Sequence, residues 1–239
     1  MVWSMTRPLV LVTEELSPPA LAWLAERCAV ERVGPEDPQF ADLLARADGL
    51  IVRTYTRVDG AMLDNAPKLR VVARAGTGLD NVDEAACAAR GIAVRNTPDA
   101  NTQAVVEFVI AAVFDALRPR VFLEKPVELP AWRSLREELI AKREVGDLTL
   151  GVLGLGRIGS RVAKAAAGLG VRTIYHDVVE IAASQRFGAV PVSRDELLAS
   201  SDVLSVHVDG RVENAQLLKA EAFARMKPDV VVINTSRGF

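Results

Sequence analysis

The 239-residue sequence has only two cysteines, Cys28 and Cys87. They are far apart, fit no metal-type spacing and fall in predicted helices, where a buried reduced thiol is the plain reading and no metal is expected. A basic excess is also missing. The net charge of −2 offers no footprint for nucleic acid or an anionic membrane surface. No apolar run approaches the roughly 20 residues that span a bilayer; the longest near the centre is Phe108 to Phe114. The N-terminus passes from Leu9-Val10-Leu11-Val12 straight to Glu14-Glu15. It therefore lacks the apolar core of a signal peptide, and the cytoplasm is the expected location. Internal repeats and low-complexity tracts are absent. With half its residues hydrophobic and 25% charged, the chain has the composition of one large or two ordinary globular domains.

The most informative stretch is TLGVLGLGRIGSRVAKAAAGLGVRTIYHD, residues 149 to 177. The apolar run Leu150 to Leu153 leads into Gly154, Gly156 and Gly159 in GxGxxG spacing, and Ile158, Val162 and Ala165-Ala166 follow at helical period. A second apolar run, Val171 to Tyr175, ends at Asp177. This order of strand, glycine turn, helix, strand and acid is that of the βαβ unit that binds a dinucleotide. Gly154 permits the tight turn, Gly156 lets backbone N–H groups approach a pyrophosphate, and Gly159 lets the helix pack on the sheet. The helix N-terminus adds unpaired donors and a partial positive charge. Asp177 lies 18 residues beyond Gly159, near the roughly 20 expected for an acid that accepts from a ribose diol. A carboxylate there repels a 2′-phosphate, so NAD is expected rather than NADP.

Strand and helix patterns alternate on both sides of this unit. Pro8–Thr13, Ala29–Val33, Gly49–Arg53, Arg70–Arg74 and Ile92–Arg95 read as strands. Helices are expected after Ser17-Pro18, around Phe40 to Leu44, at Ala61–Asn65 and from Val82 to Ala89. Asn101 opens a long apolar segment, Ala104 to Leu117, read as a buried helix connecting two domains. Residues 119–147, with Pro126, Pro130 and many charges, read as an arm plus a charged helix. Such an arm either packs on a partner subunit or forms a flexible surface loop. Ser193 to Glu196 is a capping box, Asp202–Val206 a strand, Leu217–Met226 a helix and Asp229–Asn234 a final strand. The fold class is α/β with two doubly wound parallel sheets. Residues 1–100 form the substrate-binding domain, and residues 101–239 form a Rossmann NAD-binding domain, incomplete, with its arm at 119–147.

In open α/β sheets, ligands sit beyond the carboxyl ends of the strands. Besides the glycine turn, Arg53-Thr54-Tyr55, Ala75-Gly76-Thr77-Gly78 and Thr235-Ser236-Arg237-Gly238 fall there. A glycine-lined loop exposes several N–H donors to a carboxylate. The expected arrangement holds a small anionic substrate between the loops of one domain and the NAD of the other.

The segments ARAGTGLDNVD (73–83), GIAVRNTPDANT (91–102), GVLGLGRIGSRVA (151–163) and VVINTSRG (231–238) resemble the D-isomer-specific 2-hydroxyacid dehydrogenases. The similarity runs in one order from about Gly49 to Gly238. It implies a flavodoxin-like substrate domain beside the Rossmann domain. It also implies an oxidoreductase that moves a hydride between NAD and a D-2-hydroxy acid or its 2-keto acid, with 3-phosphoglycerate a candidate substrate. On this resemblance Ala75, Gly76 and Thr77 hold the substrate carboxylate through backbone N–H groups, and Arg53 helps bind the acid or phosphate. Asn101 and Thr102 lie near the nicotinamide and substrate. Arg157 and Ile158 meet the pyrophosphate through their backbone, Asp177 takes the ribose, and His207 and Thr235 join the cofactor-binding set. Arg237 fixes the substrate carboxylate and polarises its carbonyl, a task suited to a bidentate, permanently charged guanidinium. By position alone Arg237 is an ordinary arginine after a strand, and His207 a packing or cofactor-edge residue rather than a base. A homodimer is implied, formed through the nucleotide domain and the arm.

The sequence also departs from the pattern. Asp209 stands where the family usually carries proline, and Phe108 replaces a frequent histidine. The family's general acid/base histidine and its glutamate lie well beyond the SRG motif, and neither is among these 239 residues. The expectation is a truncated family member, slowed by about 10²- to 10⁴-fold if it turned over without a proton partner. The alternative is a non-catalytic NAD-binding regulatory or interaction module.

Overall fold

Short runs of β-branched and aliphatic residues, each closed by a polar or glycine-bearing turn, build two parallel sheets. The computed structural model describes residues 7–118, 120–140 and 143–236. The chain divides into two compact units, Met1–Asn101 and Thr102–Phe239.

In the first unit the elements run β1 (Leu9–Val12), α1 (Pro18–Ala25), β2 (Ala29–Arg32), α2 (Phe40–Leu44), β3 (Gly49–Val52), α3 (Gly60–Asp64), β4 (Val71–Arg74), α4 (Glu84–Ala89) and β5 (Ala93–Asn96). The strands pair in the order β2-β1-β3-β4-β5, all parallel. The growth of the sheet therefore reverses between β1 and β3. Leu11, Leu50, Val52 and Val72 are fully buried, packed with Phe40, Leu44, Leu63 and Cys87 from the helices. A parallel sheet covered on both faces requires such apolar strands. Asp59 and Asp83 cap α3 and α4, accepting from the N–H groups of Met62 and Ala86. Ser17 does precede α1, but its side chain makes no capping bond, and Pro18 sits at the first helical position, where no donor is lost.

The second unit contains α5 (Thr102–Leu117), α6 (Leu129–Leu139), β6 (Thr149–Leu153), α7 (Arg157–Gly168), β7 (Arg172–His176), β8 (Val190–Pro191), α8 (Arg194–Ser200), β9 (Val203–Val206), α9 (Ala220–Phe223) and β10 (Val231–Asn234). Its sheet order is β10-β9-β6-β7-β8, again parallel throughout, and its growth reverses between β6 and β9. Three expectations are corrected here. The helix α5 is buried only along the stripe Thr102, Val106, Val109 and Val113, and Phe108 on another face is exposed. The helix expected over Leu217–Met226 shrinks to Ala220–Phe223, because Gln216 adopts a left-handed φ of 54° and Lys219 is extended. Of the capping box at Ser193, only the bond from the Glu196 N–H to Ser193 Oγ forms among the described residues. A reciprocal box appears instead at Glu144 and Asp147. The two-residue strand β8 carries no periodicity and was not expected. No helix among the described residues is long and apolar enough to cross a membrane.

A buried acid ties the start of this sheet together. Asp202, 9% exposed, accepts from Arg143 at 2.9 Å and 3.3 Å, from Lys227 at 2.9 Å and from the Thr149 N–H at 2.8 Å. Burial alone would push its pKa up. The Arg143 pair, the Thr149 N–H and Lys227 outweigh that and hold it down at about 2. The stability it contributes is thus present above its ordinary value of 3.8 and lost as pH falls from there towards 2. Asp202→Ala should lower unfolding stability at pH 7 by about 2–3 kcal/mol in urea titration, with the deficit shrinking below pH 4.

Candidate functional site

The second sheet opens its ligand crevice where β6 and β9 diverge in chain order, outside their carboxyl ends. The glycine turn lies there. Gly154 has a φ of +91°, and a Cβ on it would sit 3.0 Å from the His207 carbonyl oxygen, so conformation and contact both demand glycine. A Cβ on Gly159 would fall 2.1 Å from the Gly154 carbonyl oxygen and 3.0 Å from Val152 Cγ1. The third glycine therefore sets how closely α7 approaches β6. Gly156 differs, because a Cβ there would meet nothing within 4 Å. Among the described residues no neighbour requires glycine at 156, and the space above it lies at the N-terminus of α7, where Gly156 itself supplies no side-chain cap. A pyrophosphate fits that space and those donors. Arg157 is exposed at the first helical position, and Ile158 is half-buried behind it.

Asp177 follows β7, half-buried. Its Oδ2 accepts from the Leu155 N–H at 2.7 Å and its Oδ1 from the Val179 N–H at 3.0 Å. The carboxylate is thereby fixed against the glycine turn, while each oxygen keeps a lone pair for a diol. Val178 and Val179 beside it are exposed apolar residues.

His207 follows β9. Its Nε2 is 2.8 Å from Ser205 Oγ, and its Nδ1 is 3.2 Å from Thr235 Oγ1. Desolvation pushes the imidazole pKa down to about 4, so the ring is neutral at pH 7. Thr235 and His207, both named for the cofactor side, are hydrogen-bonded to each other, and Ser205, which was not foreseen, bonds the other ring nitrogen. The other histidine, His176, faces the Val192 carbonyl through Nδ1 at 3.1 Å. Asp209, in the usual proline position, holds the following loop by accepting from Arg211 Nε at 2.7 Å and Asn214 Nδ2 at 2.8 Å. Burial opposes its ionisation, but these donors hold its pKa below the usual value. Arg237 lies outside the described residues.

In the first unit, the loop after β4 differs from the expectation. The Ala75 N–H donates to the Val52 carbonyl at 2.8 Å and the Gly76 N–H to the Arg74 carbonyl at 2.8 Å. The N–H groups of Thr77 and Gly78 make no hydrogen bond among the described residues. The donors open to a carboxylate are thus displaced towards Thr77-Gly78, because Ala75 continues the β3–β4 ladder. Thr77 Oγ1 donates to Asn101 Oδ1 at 2.7 Å, and Asn96 Nδ2 donates to the Thr77 carbonyl at 2.7 Å. Asn101 therefore buttresses the loop. Thr102, the first residue of α5, is buried. Arg53, after β3, is exposed, with Nη1 donating to the Glu15 carbonyl at 2.9 Å. Two residues missed in sequence matter here. Arg74 covers the Gly76 Cα and donates through Nε to the Arg53 carbonyl, and Glu14 grips the Arg53 loop. Contacts 21 and 39 residues apart leave no local signal.

Residues 110–239 match the family model described as the NAD-binding domain of the D-isomer-specific 2-hydroxyacid dehydrogenases. The chain belongs to this family. Its cofactor is NAD. It is 37% identical over 236 residues to a D-3-phosphoglycerate dehydrogenase of Mycobacterium bovis, covering 98% of this chain and 44% of that protein. It is 36% identical over 243 residues to a glyoxylate reductase of Aeropyrum pernix, covering 98% of this chain and 72% of that one. The crystal structure of the Aquifex aeolicus D-lactate dehydrogenase, complexed with NAD and lactic acid, superposes with a TM-score of 0.80 at 27% identity, covering 96% of this chain and 69% of that one. The chain thus spans less than half the length of the mycobacterial relative.

The three glycines are separable by experiment. Gly159→Ala should destabilise the protein by about 1–3 kcal/mol through overpacking, while Gly156→Ala should cost at most about 1 kcal/mol, both read by urea denaturation. Equal costs at the two positions would contradict the geometry described.

Proposed function

We propose that residues 1–239 carry the cofactor site and the substrate-carboxylate site of an oxidoreductase acting between NAD(H) and a D-2-hydroxy acid or its 2-keto acid. The observation that carries this reading is the space over Gly156 at the N-terminus of α7, open among the described residues, with Asp177 fixed beside the same turn. NAD, when bound, supplies the hydride acceptor or donor. The first-turn N–H groups of α7 hold the pyrophosphate, and the Asp177 carboxylate accepts from the ribose diol and repels a 2′-phosphate. Thr235, His207 and Thr102 contribute to the cofactor side. The free N–H groups of Thr77 and Gly78 take the substrate carboxylate in a loop braced by Asn101, and Arg53 supplies a cation for a second anionic group such as a phosphate. Arg237 polarises the substrate carbonyl. The relatives named D-3-phosphoglycerate dehydrogenase and glyoxylate reductase share a small 2-hydroxy or 2-keto acid as the substrate class in their names.

Neither histidine of this chain is assigned the proton transfer. His207 is held through both ring nitrogens with its pKa near 4, and His176 is tied to a backbone carbonyl. This favours, as a second reading, an NAD-binding module that does not turn substrate over. NADH binding without oxidation in the presence of glyoxylate or hydroxypyruvate would select it.

For Asp177→Ala, calorimetric titration should give at least about tenfold weaker NADH binding, or 1.4 kcal/mol, and loss of the preference over NADPH. Unchanged affinities would remove Asp177 from the site. The proposal extends to a homodimer. Helix α6 has no buried residue, and Val121, Phe122, Leu123, Leu129 and Trp132 on and before it are exposed, an apolar surface of the kind that marks an interface. Sedimentation should show a dimer that Phe122→Asp converts to monomer.

A further inference from the structure

The first sheet also has a switch point, between β1 and β3, and the rim of that crevice is formed by the residues after β1 and the loop 53–56. The Glu14 side chain fills it. Its Oε1 accepts from the N–H groups of Arg53 at 2.9 Å, Tyr55 at 3.1 Å and Thr56 at 3.0 Å. Its Oε2 accepts from Thr54 at 2.8 Å and Tyr55 at 3.1 Å. Four consecutive N–H groups converging on one anion form a nest. Partial burial works against ionisation, yet the four donors outweigh it and bring the Glu14 pKa down to about 2.

The rest of the loop is clamped from other sides. Thr56 Oγ1 donates to Thr13 Oγ1 at 2.7 Å. Asn81 Nδ2 donates to the carbonyls of Arg53 and Thr56 at 3.2 Å and 2.6 Å. Arg74 Nε donates to the Arg53 carbonyl at 2.9 Å, tying this loop to the one after β4. Only side chains are left outward, with Tyr55 90% exposed at the tip.

We infer that Glu14 is a positioning residue, a built-in anion that occupies the nest at this switch point and presents Arg53 and Tyr55 to the substrate. The inference rests on the reading of the Arg53 loop as a substrate loop. Its consequence is chemical. Substrate anions cannot use the N–H groups of residues 53–56, so they are recognised by the Arg53 guanidinium and by Thr77-Gly78. A pre-ordered loop spends no binding energy on its own ordering.

The test is chemical rescue in the 239-residue chain. Glu14→Ala should lower the Tm by about 5–10 °C, and 100 mM formate should restore at least half of that loss relative to chloride at equal ionic strength. The wild type should not respond. Asp48→Asn is the control, since Asp48 accepts from the Leu9 N–H at the opposite end of β1. It should lose stability without formate rescue. If Glu14→Ala does not fold, Glu14→Ser, which also removes the carboxylate and leaves room for an anion, should show the same drop with partial rescue. In ¹⁵N–¹H spectra with NADH present, Glu14→Ala should need at least tenfold more oxamate to shift the Thr77 and Gly78 amides, with NADH affinity within twofold of wild type. Absence of formate rescue in both variants, or oxamate binding equal to wild type, overturns the inference. A wild-type chain blind to oxamate overturns the substrate reading beneath it, a distinguishable result.

Discussion

A Cβ on Gly159 would lie 2.1 Å from the Gly154 carbonyl oxygen, and the second unit is arranged around that approach. Because helix α7 sits so close to β6, its N-terminus opens directly above the turn, where its dipole and first-turn N–H groups face one spot. Gly154 in turn abuts the His207 carbonyl, so the loop after β9 closes against the same turn. The Leu155 N–H holds Asp177. Donors, acid and neighbouring loop are thus placed by one backbone contact, with side-chain packing from Val152, Val162 and Ala166 beneath it.

The two units answer the same topological question in opposite ways. Both sheets reverse their growth once and so both create a crevice lined by backbone N–H groups. In the second unit Gly156 keeps that crevice open. In the first, Glu14 closes it with a carboxylate of the chain's own, and the N–H groups that make no hydrogen bond among the described residues lie one strand along, at Thr77 and Gly78. A nest left empty and dry would cost desolvation of several donors, so the internal acid also stabilises the loop it organises.

Much of the fold was legible because parallel strands buried on both faces are written as continuous apolar runs, as in LVLV and GLIV. The strand β8, two residues long, was invisible for the converse reason, since it has too few residues to show a period. Helix α9 was overestimated because Leu217 and Leu218 continue the apolar spacing while packing against the core from a turn. That an acid, Asp177, sits beside the glycine turn was legible from its spacing to the glycines. Glu14 was not, because its partners stand 39 to 42 residues away and an acid after a strand has no distinguishing neighbours.

The sequence by itself determined the two α/β units and the glycine turn with an acid after the next strand, because each is a local pattern of residues within one βαβ unit. Only the tertiary structure decided which loop donors find partners, that the Ala75 and Gly76 N–H groups are spent within the protein, and that His207, set between two hydroxyls, is kept neutral by burial. Those outcomes depend on which strands become neighbours, and strand order is set by the packing of the whole sheet rather than by any one segment.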